Sequence, residues 1–348
     1  MGIKRMNKFL EDNNLIKIHN NINDFIRNSK KLEFQVFNTR NKCYRIAIDT
    51  ILYAHKFKYS YNDIAYGFIN QIINFLSNRI IPIYIIDGLA PIEKSDIIKS
   101  RNSKKDKISL KIDSLEKDLL SESNPDKIKL IKRKIINLKR SNIKITKEDL
   151  DEIILITQKL GVPCIRANGE ADSLIGKLYE SKSIDACLSE DMDILIFGCK
   201  KMIKFSNKKI YEYDLDFILF KLGITYNDFL DMCILFGCDY LRPIAKLDTK
   251  YIYENILNKN INNLIKDNVG VENYNKYLTE FESAKNIFIN SIKNEKIENS
   301  FFKIKKYINE DELNTYLQNS DLFKDKKKSE LKANIIYINN LIKDNKFI

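Results

Sequence analysis

Three short apolar runs that each stop on an acid constrain this chain more than any other feature. Arg45-Ile46-Ala47-Ile48 ends at Asp49, residues 80–86 (IIPIYII) end at Asp87, and Ile184-Asp185-Ala186-Cys187-Leu188 gives way to Ser189-Glu190-Asp191. Short β-branched runs of this kind predict strands. Between them lie segments with helical spacing: residues 61–77 (Ile64, Phe68, Ile72, Phe75, Leu76), residues 150–160 stopped by Gly161, and residues 171–179. Val162-Pro163-Cys164-Ile165 predicts a further strand. Strand–helix alternation implies an α/β fold, with a mostly parallel central sheet flanked by helices. Ligands of such sheets sit outside the carboxyl ends of the strands, so Asp49, Asp87 and Asp191 should share one edge.

A second texture interrupts this pattern. Residues 91–147 carry 17 Lys/Arg against eight acids, which is nine of the chain's twelve net positive charges. Residues 94–121 and 126–141 read as two charged helices punctuated by Asn124-Pro125, too polar to lie broadly on a core. Charge alone fits either a solvated Lys-rich surface or a field that attracts a polyanion. With 348 residues, 44% hydrophobic and 30% charged, the chain is expected to be globular, with roughly two domains or one large domain and an appendage. The expected division is 1–90 and 150–245 for the sheet-bearing parts, 91–149 for the basic insertion and 246–348 for a helical C-terminal region. The Lys-rich run at Lys324, Lys326, Lys327 and Lys328 reads as a solvated loop. No apolar run reaches membrane-spanning length, and the N-terminus lacks a signal-peptide core, so a secreted or membrane protein is not expected. The six cysteines form no C-x-x-C pair and only His19 and His55 could join them, which excludes the usual zinc spacings and favours reduced thiols inside a cell.

Four more acids draw attention by position. Glu170 and Asp172 follow Asn168-Gly169 where a loop enters a helix, Asp193 pairs with Asp191 across Met192, and Asp239 follows Phe236-Gly237-Cys238. Any one of the seven, taken alone, reads as a helix cap or turn residue. Gathered at a sheet edge they would repel one another and need a counter-charge. Hard divalent cations answer that need, and with so few histidines Mg²⁺ or Mn²⁺ is favoured over zinc. Two such ions about 3.5–4 Å apart suit phosphodiester displacement.

These stretches resemble the flap endonuclease family of structure-specific 5′ nucleases, which includes the xeroderma pigmentosum group G protein. The resemblance rests on Met1-Gly2-Ile3-Lys4, Ile46-Ala47-Ile48-Asp49, Ile83-Tyr84-Ile85-Ile86-Asp87-Gly88, Ala167-Asn168-Gly169-Glu170-Ala171-Asp172, Ser189-Glu190-Asp191-Met192-Asp193 and Leu235-Phe236-Gly237-Cys238-Asp239-Tyr240, and covers residues 1 to about 245. It implies a nuclease core of the PIN type with a basic helical arch and a helix-turn-helix before the helical C-terminal region. It further implies a Mg²⁺-dependent enzyme with two ions per chain, for which Mn²⁺ can substitute. Asp49, Asp87, Glu170 and Asp172 would surround the first ion; Asp191, Asp193 and Asp239 would complete the second. Lys94 and Arg101 would contact the scissile phosphate from the base of the arch. Gly2 would lie near the bent nucleic acid, and His55 would stand where the family stacks an aromatic on a base (with Tyr53 nearby). Apart from the resemblance, the charge of Lys132, Arg133 and Lys134, farther out on the basic segment, is expected to add to DNA binding.

Two departures matter. Asp172 stands where the family usually has Glu, one methylene shorter. At the hairpin that grips the duplex, Lys246-Leu247-Asp248 replaces a glycine-containing turn, and Lys246 could itself meet a phosphate. No clamp-binding peptide is found; the resemblance implies DNA with single-strand/double-strand junctions as the partner, for a monomer working in the nucleus or at a viral replication site. A 5′→3′ exonuclease, an RNA-preferring nuclease of the same fold and a catalytically silent DNA-binding scaffold are the alternatives.

Overall fold

Residues 3, 5–37, 43–61, 63–89, 94–297, 308–309, 311, 315 and 325–343 are described by a computed structural model. Among them, seven strands form one sheet: β1 (Lys17–His19), β2 (Tyr44–Asp49), β3 (Ile80–Ile86), β4 (Cys164–Arg166), β5 (Ala186–Leu188), β6 (Lys201–Ser206) and β7 (Lys209–Asp214). Their order is β1-β7-β6-β5-β2-β3-β4. β2 through β6 run parallel, and β7 pairs antiparallel with both β6 and β1. Every residue of β3 is buried, as expected of a strand covered on both faces. Pro82 lies in the stretch of β3 that pairs with β2 but precedes the pairing with β4, where a missing N–H is tolerated.

Register fixes the functional edge. Asp49 lies opposite Ile85, and Ile48 opposite Leu188, so the chain leaves β2, β3 and β5 on the same side with an acid within three residues of each exit. The helix α1 (Met6–Asp12), then α2 (Ile22–Phe37), α3 (Thr50–Tyr61) and α4 (Ile64–Ser77) precede β3. In α4 the predicted apolar face (Ile64, Phe68, Ile72, Phe75, Leu76) is buried, and Asp63 caps it by accepting from the Tyr66 N–H.

The basic insertion forms two helices, α5 (Ser95–Ser121) and α6 (Pro125–Ser141), which pack on each other. Asn124 caps α6 and Pro125 occupies its first turn. Ile112 and Ile135 are buried, whereas Leu110, Leu120, Leu130 and Ile136 are exposed. At the foot of the pair, Asn142 donates to Ser109 Oγ at 2.8 Å. The chain returns through α7 (Lys147–Lys159), opened by a Thr146/Asp149 capping box, into β4. Then come α8 (Ala171–Glu180), the single-turn α9 (Asp193–Ile196), α10 (Leu215–Leu222), α11 (Tyr226–Phe236), α12 (Thr249–Leu257), α13 (Ile261–Val269), α14 (Val271–Asn294) and α15 (Asp325–Lys343). α14 packs against α8 and α11, with Phe281, Ala284 and Phe288 buried.

Two sequence expectations need correction, and one element was not expected. The strands expected at residues 162–165 and 184–188 begin at Cys164 and Ala186, with the two residues before each leading into it. Lys326, Lys327 and Lys328 lie in α15, not in a loop, and Lys324 falls outside the described residues. The β6–β7 hairpin has no counterpart among the expected elements. Its turn residues Asn207 and Lys208 take φ of 50° and 61°, the left-handed pair of a tight hairpin turn, but Asn-Lys is not the Asn-Gly signal such turns usually carry. All six cysteines are free, five of them buried. No helix among the described residues is long and apolar enough to cross a membrane.

Candidate active site

Each acid reaches the edge by a local rule. Asp49 closes β2 as α3 begins; its Oδ1 accepts from the Leu52 N–H at 3.1 Å and its Oδ2 from Ser189 Oγ at 3.3 Å. Asp87, just past β3, accepts from the Ala171 N–H at 2.8 Å and so caps the first turn of α8. That leaves Glu170, at the N-cap position, with no capping bond of its own. Its carboxylate instead takes Lys94 Nζ at 2.5 Å and the Tyr240 hydroxyl at 2.7 Å. Asp191 Oδ1 accepts from the Asp193 N–H at 3.1 Å. Asp193 is 1% exposed, and its Oδ1 has no hydrogen-bond partner among the described residues. Asp239 receives Arg101 Nη2 at 2.9 Å, with Lys94 Nζ 3.7 Å away.

Two acid-bearing loops are stitched directly together. The Gly88 N–H donates to Gly169 O at 2.7 Å and the Leu89 N–H to Asn168 O at 3.2 Å. A Cβ on Gly88 would stand 2.1 Å from Ala167 O. Backbone cannot yield to a methyl as a flexible side chain would, so glycine is required here for close approach rather than for torsion. Gly88→Ala is therefore expected to spread the loops and lower cleavage about 10-fold or more, while the melting temperature drops by a few degrees. Wild-type turnover in that variant would show that the loop spacing is immaterial.

The acids act on one another, which places them in one electrostatic group. Burial raises the Asp49 carboxyl to about 7, with Asp87 and Asp191 adding to the effect. Asp172 is pushed well above the ordinary range by burial and then by Asp191, Asp49 and Asp193. Asp193 is raised likewise by burial and by Asp191, with Asp239 and Glu170 contributing. Burial also raises Asp191 and Asp87, although Asp87 as a whole residue still reaches solvent. Burial opposes the charge on Lys94, 9% exposed, but Glu170 outweighs it and the ammonium is held more firmly than usual. Its Nζ also lies 5.1 Å from the Tyr240 ring centroid.

Among the described residues, no three His, Cys, Asp or Glu side chains are already drawn tightly enough to hold a metal ion. Lys94 and Arg101 neutralise the outer pair, Glu170 and Asp239, by direct contact. Deeper in the edge, Asp49 is met by hydrogen-bond donors rather than a cation, and Asp193 keeps an orphaned buried oxygen. An all-carboxylate set with such an oxygen has the donor chemistry of a hard divalent cation's site, and holding one would require these side chains to draw closer together.

The remaining sequence candidates are scattered by comparison. Lys132, Arg133 and Lys134 are exposed on α6. His55, half-buried on α3, has its pKa lowered by burial and by Lys105 and Lys58, which favours the neutral ring. Tyr53 is 4% exposed and packs on Phe57, so it is not free to stack on a base. The exposed aromatic beside the arch is instead Tyr59, with the Arg140 guanidinium 5.7 Å from its ring; it lies one turn beyond His55, a spacing that could have flagged it. Lys246 is exposed and adopts φ of 64°, taking the left-handed conformation a glycine would supply, whereas Leu247 is buried. Gly2 lies outside the described residues. Tyr240 joins the site without having been singled out among the candidates; its position in the Gly-Cys-Asp-Tyr segment was its only signal.

Comparison with known proteins decides the lineage. The flap endonuclease 1 of Enterocytozoon bieneusi is 30% identical over 287 residues, covering 76% of this chain and 72% of that protein. The chain belongs to the flap endonuclease family of structure-specific 5′ nucleases. The family model of the XPG I-region matches residues 161–239, which carry Glu170, Asp172, Asp191, Asp193 and Asp239. Flap endonuclease 1 of Entamoeba histolytica is 34% identical over 207 residues, 58% of this chain and about half (52%) of its own length. The family fold extends to solved structures. The catalytic core of Rad2 in complex with DNA substrate superposes with a TM-score of 0.65 at 15% identity, covering 97% of this chain and 100% of that one. Flap endonuclease-1 from Methanococcus jannaschii gives 0.59 at 21%, covering 87% and 94%.

Proposed function

We propose that this chain hydrolyses phosphodiester bonds in DNA at flaps, nicks or ends, with the seven-carboxylate edge as its active site. The observation that carries the reading is the pairing of that acidic edge with two cations, Lys94 and Arg101, at the foot of a basic helical pair. Asp49, Asp87, Glu170 and Asp172 would hold one Mg²⁺, and Asp191, Asp193 and Asp239 a second, with Mn²⁺ able to substitute. When bound, such ions supply an activated water and neutralise charge on the phosphate. The protein's own groups do the rest. Arg101 offers a planar fork and Lys94 a point charge to the phosphate oxygens as negative charge builds there. The edge is half-buried, which keeps that attraction stronger than it would be in open solvent. Retention of all seven acids beside both cations favours an enzyme over a silent scaffold. With DNA junctions as substrate it would work at nuclear or viral DNA, as a monomer.

The test is cleavage of end-labelled flap, nicked, bubble and RNA substrates by purified protein with and without Mg²⁺. Flap or nick cleavage that stops on chelation supports the reading. Cleavage confined to RNA, stepwise removal from a 5′ end alone, or none at all would replace it with the RNA-preferring nuclease, the exonuclease or the scaffold.

The arch makes a separate prediction. Lys132, Arg133 and Lys134 are exposed, whereas their neighbours Lys127 and Lys139 are paired with Glu122 and Glu116. Replacing all three by Ala should weaken DNA binding and flatten its salt dependence by about 0.7–0.9 for each phosphate no longer neutralised, with turnover at saturating DNA nearly unchanged. An unaltered salt slope would mean that this face is only solvated.

A further inference from the structure

Glu295 stands just past α14, well beyond Asp239 in the chain, and it is 5% exposed. Its Oε1 accepts from the Gly169 N–H, 126 residues away in sequence, at 3.2 Å and from Ser173 Oγ at 2.9 Å. Its Oε2 faces the Asn168 N–H at 3.4 Å. The carbonyls of Asn168 and Gly169 are already committed to the loop after β3. The two residues that lead into Glu170 are therefore held from both sides, by residues 88–89 through their carbonyls and by Glu295 through their amides.

We propose that Glu295 is a positioning residue for Glu170, acting as a clamp on the backbone that leads into α8. A helix start wants a side-chain acceptor for its free N–H groups and favours a negative charge nearby. Glu170 occupies the N-cap position but spends its carboxylate on Lys94 and Tyr240. Asp87 meets the Ala171 N–H, and Glu295 meets the amides just before the helix and the hydroxyl within its first turn. The division of labour keeps the Glu170 carboxylate aimed into the edge. Two of the three groups facing Glu295 are backbone amides, which only donate, so a carboxylate, acceptor-only at both oxygens, is matched to them; the Ser173 hydroxyl, with one proton, stands between Glu295 Oε1 and the Glu170 carbonyl at 2.8 Å. A glutamine would turn an N–H₂ toward one of them.

This inference rests on the reading of Glu170 as a metal ligand, and the experiment separates the two. Mn²⁺ binding to wild type and to Glu295→Gln is measured by electron paramagnetic resonance, alongside steady-state cleavage of a flap substrate and thermal melting. Outer residues that orient ligands typically change metal affinity or activity by about 10–100-fold. Glu295→Gln is expected to weaken Mn²⁺ binding and kcat within that range, with KM for DNA unchanged. In a Glu170→Gln background the same change should add little further loss, because it acts through Glu170. A variant that melts earlier but binds Mn²⁺ and turns over like wild type would make Glu295 merely structural and overturn the proposal. If Glu295→Gln does not fold, Glu295→Asp keeps the charge but shortens its reach to the same amides and is judged on the same Mn²⁺ affinity. Wild type that binds no Mn²⁺ would instead defeat the metal reading on which the inference stands.

Discussion

Asp191→Asn is expected to cut cleavage by about 10³-fold or more, roughly 4 kcal/mol of barrier, while DNA binding holds or tightens. The side chain is well placed to test the metal assignment because asparagine preserves its structural duty. Asp191 Oδ1 accepts from the Asp193 N–H, and the amide oxygen can do the same. What disappears is one charge of a crowded group: burial and the nearby Asp239 already push this carboxyl above its ordinary range. Removing the charge relieves repulsion in the metal-free protein, so the variant should melt no lower than wild type in EDTA. It also removes a hard anionic ligand, so divalent ions should raise the melting temperature less than in wild type. A phosphate then meets a less negative floor, which explains the retained or tighter binding. Cleavage within about tenfold of wild type would falsify the assignment of this residue to a metal.

Lys94→Ala should divide its effects between the empty and the working protein. In the metal-free state Lys94 is a buried counter-ion, bonded to Glu170 and 3.7 Å from Asp239. Removing one partner of a buried pair strands the other charge, at a cost of about 3–5 kcal/mol when burial is complete; here Arg101 and solvent at the edge reduce it. Melting in EDTA should accordingly fall by several degrees, and Mg²⁺ should recover much of the loss by neutralising the same acids. In turnover no such recovery is expected: with Mg²⁺ saturating, kcat should fall about 10²–10³-fold, because the ammonium acts on charge that develops in the transition state. KM for DNA should change little. A variant whose kcat is intact while KM rises would show Lys94 to be a ground-state phosphate ligand only.

What the sequence made legible follows from how each feature is encoded. The parallel strands and the acids at their ends are local patterns, a β-branched run followed by a carboxylate, and they reappear at one sheet edge. The charged helices of the insertion were legible for the same reason, since their polarity excludes a core position. Features set by the meeting of distant segments were not. Tyr240 and Glu295 both serve Glu170 across the fold, and neither side chain carries a local sign of its partner. The burial of Tyr53 was hidden for a similar reason: on α3, positions 53 and 55 lie on different sides, and only the packed helix shows that position 53 faces Phe57. At the hairpin, the lack of glycine suggested a changed backbone, yet Lys246 takes the left-handed conformation itself.

The insertion begins and ends at neighbouring strands. β3 pairs directly with β4, so residues 87–163 leave and re-enter the sheet within one strand spacing, and the two ends are fixed whatever lies between. Lengthening a connection with anchored ends is cheap, about 0.6 kcal/mol for each doubling. The carboxylates, by contrast, depend on register and on close approaches such as Gly88 against Ala167 that tolerate no added atom. Selection acting on such a chain therefore meets two kinds of ground. Beyond the foot that carries Lys94 and Arg101, the helical pair can be stretched, shortened or recharged, and the acids beneath it need not move at all.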